Sequence, residues 1–251
     1  MRASNSDPLI RFPAGCRLAR FKLREKRFLV EAETAEGPVR VHCNNSGSML
    51  GLLRPGAEIL ISPAPNPGRN LPFTLELVRV GDCWAGVNTL VPNRLLRRAW
   101  EAGVLPEASG YDRFTGERRI GASRLDALLE GPSGNAWVEA KNVTLVEDEV
   151  AYFPDAATVR GRKHLRELSA LARQGVRAAC FYLIQREDAR CFAPADFIDP
   201  EYAAAFRQAV RDGVEIWPYR ADVSPEGIWL GARLPVHRQA SGGRTRTIRS
   251  R

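Results

Sequence analysis

The chain has 251 residues, 44% of them hydrophobic, which is enough to bury a substantial core and excludes disorder over most of its length. Five cysteines, Cys16, Cys43, Cys83, Cys180 and Cys191, form no C-x-x-C pair, which argues against a disulfide framework or a zinc ribbon. The formal charge of +8 points to phosphate-bearing partners, yet five arginines after Val236 supply much of it; without them 32 basic residues face 29 acidic ones.

The opening residues, MRASNSDPLIRF, lack the apolar run of a signal peptide, and no later segment approaches the roughly 18 apolar residues that span a bilayer. A cytoplasmic protein without a membrane partner is expected. From Cys16 to Asn88 the signals are strands and turns: RLARFKLREKRFLVEAE, VRVHC, AEILIS, LPFTLELVRV and CWAGVN, separated by EGP, NNSGS, PNPGRN and VGD. Five short strands without a long helix predict an OB-like Greek-key barrel over residues 12–90. Along the first strand Arg20, Lys22, Arg24 and Lys26 alternate on one face, with Phe21 and Phe28 nearby. Such a face can track a nucleic-acid backbone and stack its bases; the plainer alternative is an edge strand charged against aggregation. His42, Asn44, Asn45, Ser46 and Gly47 then form a polar loop suited to phosphate or base contacts, and equally to an Asx-turn.

PNRLLRRAWEAG reads as a helix with Pro92 in its first turn and Gly103 past its end, and with the turn-rich stretch to Arg119 it makes a junction, residues 91–119. Residues 120–236 change character: a hairpin (SRLDALLE, NAWVEAKN), a helix (TVRGRKHLRELSALARQG), an apolar strand (RAACFYLIQ), a second helix (PEYAAAFRQAVRDG) and a last strand from VEIWPY. Strands alternating with helices predict an α/β domain, so the whole is an α+β chain of two domains. The remainder, 237–251, has the Gly, Ser, Thr and Arg content of a disordered basic tail.

The chemistry concentrates in the hairpin. Gly131, Pro132, Ser133 and Gly134 mark its turn, and a symmetric ladder around them pairs residues whose numbers sum to about 265. Asp126 then faces Glu139, with Lys141 beside Glu139 and opposite Arg124. Facing carboxylates repel, and a hard cation such as Mg²⁺ or Mn²⁺ would resolve the repulsion while staying open to phosphate oxygens. Lys141 could orient a water or balance charge growing on phosphorus. In a chain with 33 arginines and 4 lysines, an amine stands at this position. Asp126, Glu139 and Lys141 make the D-x₁₂-E-x-K pattern of the PD-(D/E)xK nuclease fold; the bland alternative is surface pairing neutralised by Arg124. Glu107 and Glu117 lie upstream as further acids, and Glu117, nearer the hairpin, is taken as a third metal ligand.

On the following helix Arg160, His164 and Glu167 share one polar face, while Leu165, Leu168 and Ala172 mark the buried one. With Lys163, that face could meet a phosphate backbone, or it could be an ordinary solvated face with a Lys163–Glu167 pair. Asp155 or Thr158 can cap the helix.

Taken together, KRFLVE, HCNNSGSM, VNTLVPNRL, SGY, SRLD, VEAKNVTL and YFPDAATVRGRKHLREL resemble the sugar fermentation stimulation protein A family from about Phe12 to Leu234. The resemblance implies an N-terminal OB-like barrel, a C-terminal PD-(D/E)xK-type domain, DNA binding and a regulatory link to sugar metabolism, notably maltose. Family members commonly carry Pro-Asn-Thr-Gly where this chain has Asn44-Asn45-Ser46-Gly47, and Glu-Val-Lys where it has Glu139-Ala140-Lys141. Two functions follow as expectations: a DNA-binding protein with a Mg²⁺- or Mn²⁺-dependent nuclease site, or a DNA-binding regulator that does not cut. The expected DNA contacts are Arg20, Lys22, Arg24, Lys26, His42, Asn45, Arg124, Arg160, Lys163 and His164. Oligomeric state is left open.

Overall fold

The computed structural model describes residues 7–66, 68–120, 123–132 and 134–237. Strands β1 (Arg17–Glu25), β2 (Leu29–Thr34), β3 (Gly37–His42), β4 (Glu58–Pro63), β5 (Phe73–Val80) and β6 (Cys83–Gly86) run in the order β3-β2-β1-β4-β5-β6. A further pairing of β3 with β5 closes the sheet into the expected OB-like barrel. Alternating apolar residues fill it, among them Ala19, Phe21, Val30, Ala32, Val41, Ile59, Ile61 and Leu75.

The stretch expected as one long first strand is a hairpin. Lys26 and Arg27 turn with φ of 47° and 64°, the left-handed pair that a tight hairpin turn demands and that Asn-Gly usually supplies. No turn residue announces the break, so an alternating pattern continues straight through it in the sequence.

The second half begins with helix α1 (Val91–Glu101), followed by strands β7 (Arg113–Ile120), β8 (Ser123–Gly131) and β9 (Gly134–Val143). Short strands β10 (Leu145–Glu147) and β11 (Val150–Phe153) precede helix α2 (Val159–Arg173), strand β12 (Arg177–Ile184), strand β13 (Cys191–Pro194) and helix α3 (Pro200–Arg211). The chain closes with β14 (Glu215–Ser224) and β15 (Gly227–Arg233). Thr158 caps α2 by accepting a hydrogen bond from the Gly161 amide, and Asp199 caps α3 through the Tyr202 amide.

The main sheet has the order β15-β14-β12-β9-β8-β7, with β9, β12 and β14 parallel. Residues 113–120, expected within a junction, are therefore an edge strand of this sheet. A three-stranded sheet, β10-β11-β13, and the final β14–β15 hairpin were also not foreseen. Alternate residues of β12 serve two cores. Cys180, Tyr182 and Ile184 pack with Leu165, Leu168 and Phe206 of α2 and α3, while Ala179, Phe181 and Leu183 face α1 and the barrel. On that second side Leu60, Leu77 and Trp84 of the barrel join Leu95, Val138 and Trp217 in one cluster. The two halves thus share a hydrophobic core. Among the described residues no helix is long and apolar enough to cross a membrane. Apart from His237, the basic tail lies outside the described residues.

The seam has a tight point at Gly86, whose amide donates to the Gln185 carbonyl at 3.1 Å. A Cβ at this glycine would stand 2.0 Å from Gln185 Oε1 and 2.5 Å from its Cδ. Gly86→Ala is expected to lower stability by about 1–3 kcal/mol through overpacking, measured by urea denaturation. An unchanged midpoint would show that the seam is loosely packed.

Candidate functional site

Strands β8 and β9 pair on the expected register from Gly131↔Gly134 to Ala127↔Val138, and there the ladder stops. Asp126 and Glu139 would be the next pair. Instead the strands part, and the Asp126 carboxylate takes the amide that the ladder leaves free: Oδ2 accepts from Ala140 N at 2.8 Å. A kink accompanies the parting. Glu117 of β7 has φ of 51°, and the pairs Gly116↔Ala127 and Arg118↔Leu125 flank it and Asp126. Irregular strand geometry of this type re-aims side chains beside functional sites.

Glu139 lies at the fork and is 3% exposed. Its Oε1 accepts hydrogen bonds from Lys141 Nζ, two residues along the same strand, and from His164 Nδ1 on α2. Lys141 Nζ is itself 3.4 Å from His164 Nδ1. Glu139 Oε2 is buried and has no hydrogen-bond partner. Burial alone would raise the Glu139 pKa, but the Lys141 charge and His164 overcome it and hold the carboxyl at about 2. Asp126 is shifted the other way: burial, then the Glu139 charge, raise its pKa, with the Ala140 amide, Lys141 and Asn93 opposing. One ionised carboxylate and one resisting ionisation mark a site short of positive charge.

Among the described residues, no group of three or more His, Cys, Asp or Glu side chains is arranged to hold a metal ion. The expected third acid, Glu117, has a side chain 64% exposed and pairs with Arg124 at 3.5 Å. The alternative acid, Glu107, is committed elsewhere, accepting from Tyr219 Oη and pairing with Arg233. The remaining pair still fits a hard cation. Mg²⁺ needs only one or two carboxylates and fills its other positions with water and phosphate oxygens, and Glu139 Oε2 is an open buried oxygen of the right kind.

The expected nucleic-acid contacts separate into groups. Arg124 does not sit opposite Lys141; its cross-strand partner is Arg119 on β7. Arg160 and Lys163 are exposed, and Lys163 approaches Glu167 at 3.9 Å. His164 departs from the expected polar face: at 4% exposure it points inward to Glu139, because α2 packs across the sheet face that carries Glu139. On the barrel, the four-cation face is broken by a bulge at Lys22, between the pairs Phe21↔Ala32 and Leu23↔Glu31. Arg24 folds inward, with Nη1 donating to Gly47 O at 3.2 Å and Nε to Arg27 O at 2.9 Å. Lys26 stands in the turn rather than the strand. Arg20 remains exposed, 3.9 Å from Glu58. Asn45 is buried and makes an Asx-turn, Oδ1 accepting from Gly47 N at 2.8 Å, so it shapes its loop instead of presenting an amide to a ligand. His42 is half-buried, and burial followed by the Arg69 charge lowers its pKa.

One site residue escaped the sequence altogether: Asn93, on α1, donates from Nδ2 to Asp126 Oδ1 at 2.7 Å. Its only signal was a polar residue in the first turn of the helix, beside the buried Pro92. Asp155, considered as a cap, instead accepts from the Met49 amide through Oδ2 at 2.8 Å, tying the 44–48 loop to the approach of α2.

An OB-like barrel fused to an α/β domain, with a buried carboxylate fork at the edge of the shared core, defines the class. A model described as the SfsA N-terminal OB domain matches residues 23–87, and the sugar fermentation stimulation protein RE domain matches residues 90–227. The chain belongs to the sugar fermentation stimulation protein (SfsA) family. It is 66% identical to the sugar fermentation stimulation protein homolog of Syntrophobacter fumaroxidans, over 91% of this chain and 87% of that one. The homolog of Maridesulfovibrio salexigens is 56% identical over 92% and 98% of the two chains. The structure of Pyrococcus furiosus SfsA in complex with Ca²⁺ superposes with a TM-score of 0.86 at 28% identity, covering 92% of this chain and all of that one.

The Glu139 ion pairs have a pH signature. Its carboxyl is held below its ordinary value of 4.5, at about 2, so it stabilises the fold above the ordinary value and loses that contribution as pH falls towards 2. The stability of the natural chain relative to Glu139→Gln is therefore expected to decline on acidification below about pH 4.5, measured by urea unfolding at successive pH values. A difference independent of pH would contradict the pairing.

Proposed function

We propose that this chain is a DNA-binding protein whose α/β domain holds a divalent cation, Mg²⁺ or Mn²⁺, between Asp126 and Glu139 beside Lys141. The observation that carries the cation site is the buried, unpartnered Glu139 Oε2 next to a second carboxylate whose ionisation the protein alone resists. The Pyrococcus furiosus relative forms a complex with Ca²⁺, a different ion but also a hard cation, which accords with such a site here. We assign the α/β domain a PD-(D/E)xK-type role on the strength of Asp126, Glu139 and Lys141 on two antiparallel strands, with α1 and α2 on opposite sheet faces.

The DNA contact is assigned to the β1–β2 hairpin tip, where Lys22, Lys26 and Arg27 are exposed and the Phe28 side chain stands 52% exposed beside them. Cations for the backbone and an aromatic face for a base are the two components of single-strand binding. Two non-glycine residues in the left-handed region hold the tip at a conformational cost of roughly 1–2 kcal/mol each, and Arg24 braces it through the Arg27 carbonyl. Arg20, Arg124, Arg160 and Lys163 are exposed as well and are assigned as further phosphate contacts, although Arg20, Arg124 and Lys163 each stand near an acid.

A bound divalent cation would supply Lewis acidity to a phosphodiester. Lys141 Nζ would donate to the phosphate oxygens and offset the negative charge developing on them. His164, buried against Glu139, would keep that carboxylate ionised and in one orientation. Glu139 and Asp126 would hold the cation, whose charge would offset their repulsion of the phosphate. A regulatory, non-cleaving role is favoured by two observations: Lys141 is tied to Glu139, and the described residues offer only two acids where the sequence led us to expect three. The relatives' name connects that role with sugar fermentation.

Anisotropy titrations with labelled oligonucleotides in EDTA test the binding. The double variant Lys26→Ala/Arg27→Ala is expected to reduce the salt slope of log K by about 1–2, and Phe28→Ala to weaken single-strand binding by about 1–3 kcal/mol. Affinities equal to the natural chain's would reject the hairpin assignment. Cleavage is tested separately with Mg²⁺ or Mn²⁺: activity lost in both Glu139→Gln and Lys141→Ala supports hydrolysis, and no cleavage by the natural chain supports the regulatory role.

A further inference from the structure

The donor that fixes Asp126 comes from the barrel side of the molecule. Asp126 has two carboxylate oxygens and one hydrogen bond to each: Ala140 N holds Oδ2 at 2.8 Å, and Asn93 Nδ2 holds Oδ1 at 2.7 Å. The first donor is backbone and indifferent to side-chain identity. The second is a side chain in the first turn of α1, a helix in which Asn is a mediocre former. Pro92, Leu95 and Leu96 are buried and apolar and Arg94 is exposed, while Asn93 is half-buried and turns its amide to Asp126.

That turn is bolted to the barrel. The Leu90 amide donates to Asn88 Oδ1 at 3.0 Å, and the same oxygen accepts from Asn44 Nδ2 at 2.6 Å. Thr89 N donates to Asn44 Oδ1 at 3.2 Å, and Thr89 Oγ1 to the Asn44 carbonyl at 3.2 Å. Asn88 Nδ2 donates to Glu76 Oε2 at 2.8 Å, and Ser62 Oγ donates to Glu76 Oε1 at 2.7 Å inside the barrel. Hydrogen bonds therefore tie β4 and β5, through Asn88 and Asn44, to Thr89 and Leu90 at the entry to α1, and the helix itself carries Asn93 from there to Asp126.

We propose that Asn93 is a positioning residue for cation binding: it orients the Asp126 carboxylate from the barrel side and leaves its charge available to the cation. The neutrality of the donor matters. A lysine or arginine in its place would fix Asp126 equally well but cancel the charge that a cation needs, whereas an amide orients without neutralising. Lys141 already stands against Glu139, so a second cationic side chain would leave the fork with no net negative charge. The role of Asn93 rests on the cation site proposed above.

The test is calorimetric titration of Mn²⁺ or Ca²⁺ into the full chain, with the cation-induced rise in Tm as a second readout. Asn93→Ala is expected to weaken cation affinity about 10–100-fold, the usual consequence of losing an orienting partner, and to shrink the Tm rise while oligonucleotide affinity in EDTA stays unchanged. Asn93→Ser, which keeps a polar group in the helix but is too short to reach Asp126, should match it and serves if the alanine variant folds poorly. Asn44→Ala, one step removed, should give a smaller loss in the same direction. Cation affinity in Asn93→Ala equal to that of the natural chain, with the natural chain binding normally, overturns the role of Asn93 and leaves the cation site standing. Failure of the natural chain itself to bind either ion overturns both.

Discussion

A buried carboxylate must be compensated, and in this protein the compensation of Glu139 sets the arrangement around it. Glu139 sits at 3% exposure in the middle of a six-stranded sheet, where an isolated charge would be expensive to keep. Lys141 supplies a counter-charge from the same strand, and His164 supplies a donor from α2. The position of α2 is in turn fixed by the Thr158 cap and by Leu165 and Leu168 in the core below the sheet. All of this engages one oxygen, Oε1, and leaves the other without a partner. A purely structural carboxylate would be expected to have both oxygens satisfied.

The fork itself is a consequence of strand geometry. Two strands that stay paired bring facing Cβ atoms within about 4.5–5.5 Å, where two like charges repel. The β8–β9 ladder ends after Ala127↔Val138, which releases the Ala140 amide to hold Asp126 in place. The barrel closes the other side, since α1 both packs in the shared core and carries Asn93. The site is thus assembled from a hairpin, a helix on each face of the sheet and a loop of the barrel, which explains why the two halves are welded by apolar contact instead of joined by a free linker.

Part of this was legible in the sequence. The turn at Gly131 to Gly134 pins the hairpin register, so the approach of Asp126 to Glu139 and the place of Lys141 beside it could be read directly. Pro92 and Gly103 located α1, and cap candidates with an apolar face located α2, for the same reason: each signal is local. What escaped was non-local or unmarked. The β1–β2 turn uses Lys26 and Arg27 where glycine and asparagine usually stand, so no residue type revealed it. His164 looked like part of a solvated face because helical spacing cannot tell which polar residue meets a buried acid on another strand. Glu117 was judged by nearness in the chain, yet it lies across an edge strand and faces Arg124. Asn93 is 33 residues from Asp126, and only the fold brings them together.

Whether Asp126 and Glu139 form a cation site decides most of what is proposed for this protein. The most direct test is a crystal soaked in Mn²⁺, with anomalous diffraction recorded to locate the ion. A single strong peak bounded by Glu139 Oε2 and the Asp126 carboxylate is expected, absent in crystals of Glu139→Gln. A fork with no peak at saturating Mn²⁺, or a peak on other residues with the fork unchanged, would contradict the assignment.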